Sequence, residues 1–333
     1  MRYSVIIPVY NRPDEVDELL SSLTRQAFTD FEVIVVEDGS SLPCDKVYQK
    51  YADKLSLHYY SKENGGPGDS RNYGAAKAQG EWLIILDSDV LLPDDYFTEV
   101  EKGLTESPDI SAFGGPDASH PDFNVMQKAV SYSMTSFFTT GGIRGGKAKL
   151  DKFYPRSYNM GIRKDVYAKL NGFTKMRYGE DIDFSYRIVE AGYKTALLPE
   201  AWVWHKRRTD LRAFFRQVEH SGAARIALTK LHPGTLKIVH LLPAVFTVGV
   251  VLLVAIFVVG LMMSSFGYSP TNKALGTLLC RISMLPLALY SLIIFIDSAI
   301  KHSDLHVALL SVPAAFTQLM GYGTGFIKAC FGK

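Results

Sequence analysis

Cysteine is scarce in this sequence, and neither sign of charge is in excess. Three cysteines, Cys44, Cys280 and Cys330, lie far apart among 333 residues, and 36 Lys and Arg stand against 34 Asp and Glu. An odd number of scattered thiols supports neither a disulfide framework nor a cysteine-based metal site. Balanced charge also argues against a protein that binds nucleic acid through bulk electrostatics, so no nucleic-acid partner is expected.

An export signal is absent from the start of the chain. The strand-like stretch YSVIIP begins almost at once, without the basic, apolar and small-residue order of a signal peptide. We therefore expect the first part of the chain to remain in the cytoplasm.

Long apolar runs are absent before about residue 240 and dominate the rest of the chain. Residues 241–263 carry no charge and are longer than the roughly 20 residues that a membrane-spanning helix requires. Residues 278–296 are nearly as apolar, with Arg281 near their start, and predict a second span. Residues 307–331 contain glycines, a proline and a glutamine, so this third segment could cross the bilayer or lie in its interface.

A basic stretch precedes the first apolar run. Residues 206–240 begin with KRRTDLRAFFR, and basic residues flank membrane spans mainly on the cytoplasmic side. The sequence thus divides into a soluble domain at 1–205, a basic juxtamembrane or interfacial helical segment at 206–240 and a membrane region at 241–333. We expect the soluble domain to face the cytoplasm and the chain to contact membrane lipids.

Short apolar runs alternate with helix-like segments in the soluble domain. The candidate strands are residues 4–9, 31–37, 55–61 and 82–87. The first helix has one apolar stripe, formed at helical spacing by Val16, Leu19, Leu20 and Leu23. Such alternation predicts an α/β fold with a mostly parallel sheet and helices on both faces, which binds ligands at the carboxyl ends of its strands.

Polar motifs follow all four predicted strands. In chain order they read PVYN, EDGS, NGGPGDSRN and DSD. Alone, EDGS could be an ordinary acidic turn. GGPGDS lacks the third glycine of a dinucleotide fingerprint, because Arg71 stands there, so NAD binding is not expected.

Two carboxylates one residue apart end the fourth strand, in LIILDSDV. Side chains at i and i+2 of a strand point to the same face, so Asp87 and Asp89 can offer two oxygen ligands to one ion. This arrangement suits Mg²⁺ or Mn²⁺ that also carries phosphate groups. The alternative is that both acids cap a following helix at residues 93–104.

The ordered series of motifs resembles the family 2 glycosyltransferases. It comprises VIIPVYNRPDEVDELLSSLTRQAFTDFEVIVVEDGS, GGPGDSRNYGAAKAQGEWLIILDSDV and LNGFTKMRYGEDIDFSYRIVEAGYK, and it covers about residues 3–201. The resemblance implies an inverting enzyme of the nucleotide-diphospho-sugar transferase (GT-A) fold. It further implies a UDP-, GDP- or dTDP-sugar donor, a divalent metal ion at Asp-x-Asp and a carboxylate base on the acceptor side.

The same resemblance implies which residues hold the donor. Pro8, Val9 and Tyr10 would line the base pocket, and Asn11 would take part in binding the donor nucleotide. Asp38 would accept a hydrogen bond from a ring N–H, and Arg71 would contact the nucleotide.

For the metal, the resemblance implies Asp89 as a ligand, with Asp87 beside it at the ribose, the sugar or the ion. His205 ends the run EAWVWH and is either a third ligand, since neutral imidazole suits Mn²⁺, or a packed residue.

A second acidic motif, GEDIDFSYRIVEAG, begins a predicted helix that stops at Gly192. Its acids could merely offset the helix dipole, and Asp183 with Arg187 at i, i+4 has the spacing of a structural ion pair. The resemblance implies that Asp181 is the general base and that Glu180 orients the acceptor or the base. A single displacement then inverts the anomeric carbon.

Several basic and polar residues are candidates for contacts with the acceptor or its phosphates. They are Arg144 and Lys147 in TTGGIRGGKAK, Asn159, and Lys206, Arg207 and Arg208. The glycine-rich segment could equally be a plain surface loop, and the last three residues could anchor the domain at an anionic membrane. RQVEHSGAAR stands where processive synthases of the resembling family carry Gln-x-x-Arg-Trp, so polymer synthesis is not expected.

These features predict a membrane-anchored inverting glycosyltransferase that transfers one sugar to a membrane-held acceptor, such as a polyprenyl-diphosphate-linked glycan. One alternative is a transferase that acts on polyprenyl monophosphate itself. Another is a non-catalytic subunit that binds nucleotide-sugar. A nucleotidyltransferase would need a basic, glycine-rich loop after the first strand, where this chain has PVYNRP.

Overall fold

The computed structural model describes residues 1–140 and 153–332. Within these, the chain forms two compact units. The first comprises Met1–Pro121 and Lys147–Lys206, and the second comprises Asp122–Gly146 and Arg207–Lys333, each as far as its residues are described. The sequence division placed all of 1–205 in one domain, whereas the structure groups 122–140 with the C-terminal helices. Arg144 and Lys147 lie outside the described residues.

The strands, numbered in chain order, are β1 Tyr3–Val9, β2 Phe31–Asp38, β3 Leu57–Lys62, β4 Trp82–Leu86, β5 Val90–Leu91, β6 Ala112–Gly114, β7 Asp117–Ala118, β8 Asn159–Arg163, β9 Thr195–Leu197 and β10 Val203–His205. The helices are α1 Pro13–Leu23, α2 Asp45–Tyr51, α3 Pro67–Lys77, α4 Tyr96–Glu106, α5 Val125–Thr135, α6 Phe137–Thr140, α7 Lys164–Lys169, α8 Glu180–Glu190, α9 Leu211–Leu231, α10 Leu242–Phe266, α11 Pro270–His302 and α12 Leu305–Phe331.

The first unit is built on a sheet with the strand order β3-β2-β1-β4-β8-β6-β9. The strands β3, β2, β1 and β4 are parallel to one another, and β8 joins β4 antiparallel. The four predicted strands are therefore the parallel half of the sheet. Each begins and ends within two residues of its predicted bounds, because uninterrupted apolar runs are typical of strands that are buried on both faces.

Helices cover both faces of this sheet. Val5 and Ile7 of β1 belong to the core on one face, with the predicted stripe of α1, and Ile6 belongs to the core on the other face. On that second face, a Cβ built on Gly74 of α3 would stand 2.7 Å from Cγ2 of Ile6. A glycine therefore lets α3 lie close against the sheet.

The second unit is helical. The segments Ile238–Phe266, Pro270–His302 and Leu305–Phe331 are each long and apolar enough to cross a membrane. The structure extends the second predicted span at both ends, and it makes the third a continuous helix despite Pro313. In α12, 39% of the most apolar stretch is buried, against 11% in each of the other two, because other helices of the unit cover it.

Glycines bring α9 and α12 into close contact. A Cβ built on Gly222 of α9 would meet the carbonyl oxygen of Tyr322 at 2.0 Å, and one built on Gly325 of α12 would meet that of Glu219 at 1.9 Å. Glu219 also accepts an ion pair from Lys328 at 2.6 Å. Small residues of this kind allow helix backbones to approach one another.

Candidate active site

A small sheet brings two distant parts of the sequence together in the first unit. Its strands have the order β5-β10-β7, and His205 of β10 lies opposite Val90 of β5 in an antiparallel pair. The backbone N–H of Lys206 donates to the carbonyl of Asp89 at 2.9 Å. This pairing places His205 beside the acids that end β4.

Asp87, Asp89 and His205 form one cluster. Each offers one ligand atom, and these atoms lie within 4.8 Å of one another. Nε2 of His205 is 3.3 Å from Oδ1 of Asp89, and Nδ1 is 3.7 Å from Oδ2 of Asp117. Two carboxylates and an imidazole, with a third carboxylate near the other ring nitrogen, are a donor set that fits Mn²⁺ or Mg²⁺.

The two acids do not cap the helix that follows. The helix α4 begins at Tyr96 with Asp95 at its N-cap position, and the strand β5 separates it from Asp89. The helix-capping interpretation of Asp87 and Asp89 is therefore not supported.

Arg12 pairs with Asp89 at the other side of the cluster. Its Nη1 donates to Oδ2 of Asp89 at 2.5 Å. Burial of Asp89 opposes its ionisation, but His205 and Arg12 outweigh that effect, so the pKa of Asp89 lies well below its ordinary value. The carboxylate is thus held in the charged form that a cation requires.

Arg71 joins Asp87 to Glu180 of the second acidic motif. Its side chain is 4% exposed, Nη2 donates to Oδ1 of Asp87 at 2.8 Å, and Nη1 donates to Oε1 of Glu180 at 2.7 Å. The guanidinium also stands over the ring of Phe173, 5.1 Å from its centroid. Its predicted contact with the nucleotide stays a prediction, since the structure shows both terminal nitrogens paired with carboxylates.

Asn72 holds the loop that carries Phe173. The amide oxygen accepts hydrogen bonds from the backbone N–H of Phe173 and from the hydroxyl of Tyr167, and the amide nitrogen donates to the carbonyl of Phe173. The loop is tightly turned, because Asn171 and Gly172 both have φ of 57°. Asn72 thereby supports the ring beneath Arg71.

The helix predicted from the second acidic motif is α8. It begins at Glu180, after Gly179 in the left-handed conformation with φ of 83°. Oδ2 of Asp181 accepts a hydrogen bond from Nε of Arg156 at 2.7 Å, and Oδ1 accepts one from the backbone N–H of Ile182 at 2.9 Å. Asp183 pairs with Arg187 at 2.9 Å, as its spacing predicted.

The pKa values of the two neighbouring acids shift in opposite directions. Burial raises the pKa of Glu180, and although Arg71 lowers it, the adjacent charge of Asp181 adds to the rise. Burial also acts to raise the pKa of Asp181, but Arg156 and Arg71 outweigh it and the pKa is lowered. At neutral pH Asp181 is therefore ionised, as a proton acceptor must be.

The predicted base-pocket residues differ in exposure. Pro8 and Val9 are buried in β1, whereas the side chain of Tyr10 is 54% exposed and can offer its ring to a ligand. Asn11 has φ of 55°, and its amide oxygen accepts from the backbone N–H of Leu42 and the hydroxyl of Ser41. Asn11 thus ties the loop after β1 to the loop after β2.

Asp38 is already surrounded by donors. Oδ1 accepts from Nζ of Lys62 at 2.6 Å and from the backbone N–H of Gly65 at 2.9 Å, and Oδ2 accepts from that of Gly66 at 2.8 Å. Burial acts to raise the pKa of Asp38, but these donors outweigh it and the pKa is lowered. A hydrogen bond from a nucleotide base would add to this set, and it stays a prediction.

The described acceptor candidates occupy different positions. Asn159 is fully buried, with Tyr96 donating to its amide oxygen at 2.7 Å and its nitrogen donating to the carbonyl of Ala201 at 2.8 Å. Nζ of Lys206 is 2.6 Å from Oε2 of Glu18. In the second unit Arg207 is buried, and Nε of Arg208 donates to Gln217 at 3.3 Å. Their contacts with an acceptor stay predictions.

Sequence reasoning missed two arginines of this site. Arg12 stands in the quoted motif PVYNRP, and its position after the first strand end could have marked it. Arg156 lies in FYPRSYN, where no pattern in the sequence marks it. Each pairs with an acid far along the chain, which residue spacing does not reveal.

Curated relatives share parts of this chain. Over 93 residues it is 43% identical to the poly(ribitol-phosphate) beta-N-acetylglucosaminyltransferase TarS of Staphylococcus aureus, which covers 27% of this chain and 16% of TarS. It is 29% identical over 192 residues to an uncharacterized glycosyltransferase of Haemophilus influenzae, covering 56% and 62% of the two chains. The minor teichoic acid biosynthesis protein GgaB of Bacillus subtilis is 26% identical over 215 residues, covering 62% and 23%. The chain thus spans less than two thirds of each of these relatives.

Solved structures share the fold. The mannosyltransferase PcManGT of Pyrobaculum calidifontis, solved in complex with GDP-Man and Mn²⁺, matches with a TM-score of 0.58 at 18% identity, covering 100% of this chain and 88% of that one. Residues 1–349 of S. aureus TarS match with a TM-score of 0.50 at 19% identity, covering 100% and 92%. These likenesses show the GT-A fold that the sequence predicted.

The family model of glycosyl transferase family 2 matches residues 4–170. That region begins in β1 and contains Arg12, Asp87 and Asp89, which follow strands of the sheet, and Arg71 of α3. The chain thus belongs to glycosyl transferase family 2.

Proposed function

We propose that this protein is a membrane-anchored inverting glycosyltransferase that transfers one sugar from a nucleotide-diphospho-sugar to a polyprenyl-diphosphate-linked glycan. One observation carries the proposal: Arg71 lies between two sets of acids, one suited to a metal ion and the other to a proton. The first set is Asp87, Asp89 and His205, and the second is Glu180 and Asp181.

The first set supports binding of the donor. Asp89 and His205 would hold a divalent ion, and Asp87 would be shared between that ion and the donor. An ion held there would supply positive charge to offset the negative charge of the departing nucleotide diphosphate. The solved mannosyltransferase is in complex with GDP-Man and Mn²⁺, and in this chain Asp87, Asp89 and His205 offer oxygen and nitrogen ligands suited to such an ion.

The second set supports activation of the acceptor. Asp181 accepts the proton of the attacking hydroxyl, and Glu180, fixed by Arg71, orients the acceptor beside it. Attack from the face opposite the nucleotide inverts the configuration in one displacement.

The acceptor is held at the membrane. The chain passes from the first unit, which we propose to be catalytic, into the helical second unit at Arg207. The three long apolar helices of the second unit suit a bilayer. Basic residues at 206–208 precede these helices and favour a cytoplasmic catalytic unit, where nucleotide-sugars are available.

The test is a panel of nucleotide-sugars, followed by acceptors. Purified full-length protein in nanodiscs is titrated with UDP-, GDP- and dTDP-sugars in Mn²⁺, Mg²⁺ or a chelator. We expect metal-dependent binding of one donor and transfer from it to a polyprenyl-diphosphate-linked sugar. Binding and transfer that persist unchanged in chelator would overturn the metal assignment, and binding without any transfer would favour a non-catalytic subunit.

A second candidate is transfer to polyprenyl monophosphate. The ion pair between Arg156 and Asp181 favours it, because a phosphate nucleophile needs nearby cations and no strong base. Near-full turnover of the Asp181→Asn variant would select this candidate over the hydroxyl acceptor. The relatives named for poly(ribitol-phosphate) and teichoic acid make a polyol-phosphate oligomer the further acceptor to include.

A further inference from the structure

Arg156 is held rigidly beside the proposed base. The hydroxyl of Ser185 in α8 donates to the carbonyl of Pro155, and Arg156 forms a bridge with Asn159, whose backbone N–H donates to the carbonyl of Arg156 at 3.1 Å. The backbone on either side of Arg156 is therefore fixed to α8 and to the start of β8. Its side chain therefore extends from a fixed backbone position and pairs directly with Asp181.

Of the nitrogens of the Arg156 guanidinium, only Nε is paired with a described residue. Nε donates to Oδ2 of Asp181 at 2.7 Å, and the side chain of Arg156 is 37% exposed while that of Asp181 is 15% exposed. Among the described residues, Nη1 and Nη2 make no other hydrogen bond or ion pair. The terminal nitrogens of a partly exposed guanidinium thus stand near Asp181 without a partner among the described residues.

Considered alone, the ion pair with Arg156 makes Asp181 a poorer general base. A cation at hydrogen-bond distance makes a carboxylate a weaker proton acceptor, and partly exposed ion pairs add little stability. An arginine at this position is explained if the substrate binds to its remaining N–H groups, those on Nη1 and Nη2. Phosphate oxygens match this fork of donors, since arginine binds phosphate through two parallel N–H groups.

We propose that Arg156 is a specificity-determining residue, which binds a phosphate of the acceptor through its terminal nitrogens while its Nε aligns Asp181. The inference rests on the proposed function and narrows its acceptor to one whose phosphate lies near the attacking hydroxyl. In a polyprenyl-diphosphate-linked sugar that phosphate is the diphosphate itself. One guanidinium then sets the distance between the phosphate and the base, and so selects which hydroxyl reaches Asp181.

The experiment compares acceptors that differ only in phosphate. Full-length protein in nanodiscs, supplied with the donor identified by the panel, receives a sugar linked through diphosphate to a short isoprenoid or the same sugar linked through a plain ether. We expect Arg156→Ala to raise KM for the diphosphate acceptor about 10- to 100-fold, with KM for the ether acceptor and for the donor unchanged. Arg156→Lys, which keeps the charge and loses the fork, should be intermediate.

A matched control is Arg163→Ala. Arg163 also uses Nε to pair with an acid, Asp165 at 3.0 Å, but both residues are exposed at the far end of β8. It should leave both acceptors unaffected. The pH profile gives an independent readout, because loss of Arg156 should move the acidic limb of kcat/KM to higher pH, which a general loss of folded protein would not do.

Outcomes for the inference and for the proposed function are distinct. A fall in kcat on both acceptors is expected in Arg156→Ala, because the variant also loses the alignment of Asp181. An equal rise of KM for the diphosphate and ether acceptors in this variant, or equal KM values for the two in the unchanged protein, would overturn the role of Arg156 and leave the proposed function standing. Transfer only to a polyol-phosphate oligomer, with the same dependence on Arg156, would support the inference and overturn the lipid-linked acceptor.

Discussion

The first unit contains two groups of acids, and they differ in what surrounds them. The donor-side cluster, Asp87, Asp89 and His205, combines carboxylates with an imidazole and joins the turn between β4 and β5 to β10, which lies far along the chain. The acceptor-side pair, Glu180 and Asp181, stands at one helix N-terminus and faces two arginines. The first set suits an ion that needs several ligands, and the second suits a proton.

Arg71 belongs to both groups, and this explains why it is buried. It offers one terminal nitrogen to Asp87 and the other to Glu180, so the spacing between the two groups is set by the width of a guanidinium. The difference between the groups therefore predicts separable defects. Variants of the acceptor-side pair should impair turnover, and variants of the donor-side cluster should impair metal-dependent binding of the donor.

The largest effect is expected from Asp181→Asn. Loss of the proton acceptor should lower kcat by about 10²- to 10⁴-fold, while metal-dependent donor binding measured by titration stays as it was. Asp165→Asn, at an exposed ion pair, is the control and should be fully active. Weakened donor binding in Asp181→Asn would contradict the separation of the two groups.

Asp89→Asn should be next. Without this ligand the metal no longer offsets the charge of the leaving diphosphate, and we expect kcat/KM to fall by about 10²- to 10³-fold. Calorimetric titration should show that the donor no longer binds more tightly when Mn²⁺ is added. A variant that keeps both its Mn²⁺ response and its activity would remove Asp89 from the metal site.

His205→Ala should have a smaller effect that added metal reverses. Loss of a residue that only hydrogen-bonds to a metal-binding histidine lowers metal affinity about 10- to 100-fold. Loss of the histidine itself should therefore raise the half-saturating Mn²⁺ concentration at least as much. Activity at saturating Mn²⁺ should largely recover. His58→Ala, at an imidazole beside Glu32, is the control. Reduced stability with an unchanged metal requirement would show that His205 is only a packed residue.

The smallest effect concerns stability and pH. A carboxylate whose pKa is lowered by folding contributes stability above its unfolded pKa, and this is lost as the pH falls through the folded pKa. The pKa values of Asp38 and Asp181 are both lowered, so the unfolding free energy should fall below about pH 5. Thermal melts from neutral to acidic pH measure this.

Asp38→Asn provides the matching test on the donor side. It should cost about 1 to 3 kcal/mol at neutral pH, through weakened hydrogen bonds with Lys62 and the loop glycines. The decline of stability in acid should also become shallower. An unchanged pH profile in this variant would show that Asp38 does not contribute to acid sensitivity.

The sequence revealed the parallel half of the sheet because its strands are continuous apolar runs. The strands β6, β8 and β9 escaped prediction. Two of them have three residues each, and β8 runs antiparallel to β4, so neither length nor strand and helix alternation marks them. The small sheet is shorter still, with strands of two or three residues. Its pairing depends on tertiary contacts.

The same limit applies to the site. Acids at strand ends and helix starts could be recognised from local patterns, and the resemblance added His205 to the metal candidates. The ion pairs of Arg12 with Asp89 and of Arg156 with Asp181 span 77 and 25 residues, and nothing local indicates them. Residues 122–140 group with the C-terminal helices, and no local pattern indicates this either, since the strong apolar runs lie about a hundred residues further on.

The close contact of α9 with α12 has a consequence for how the chain is made. Its ion pair joins residues 109 positions apart, and α10 and α11 are synthesised between the two partners. Because α9 leaves the ribosome first, the face that carries Gly222 has no α12 to pack against until α12 has been synthesised. The helical unit can therefore close only after all of α10, α11 and α12 have been made.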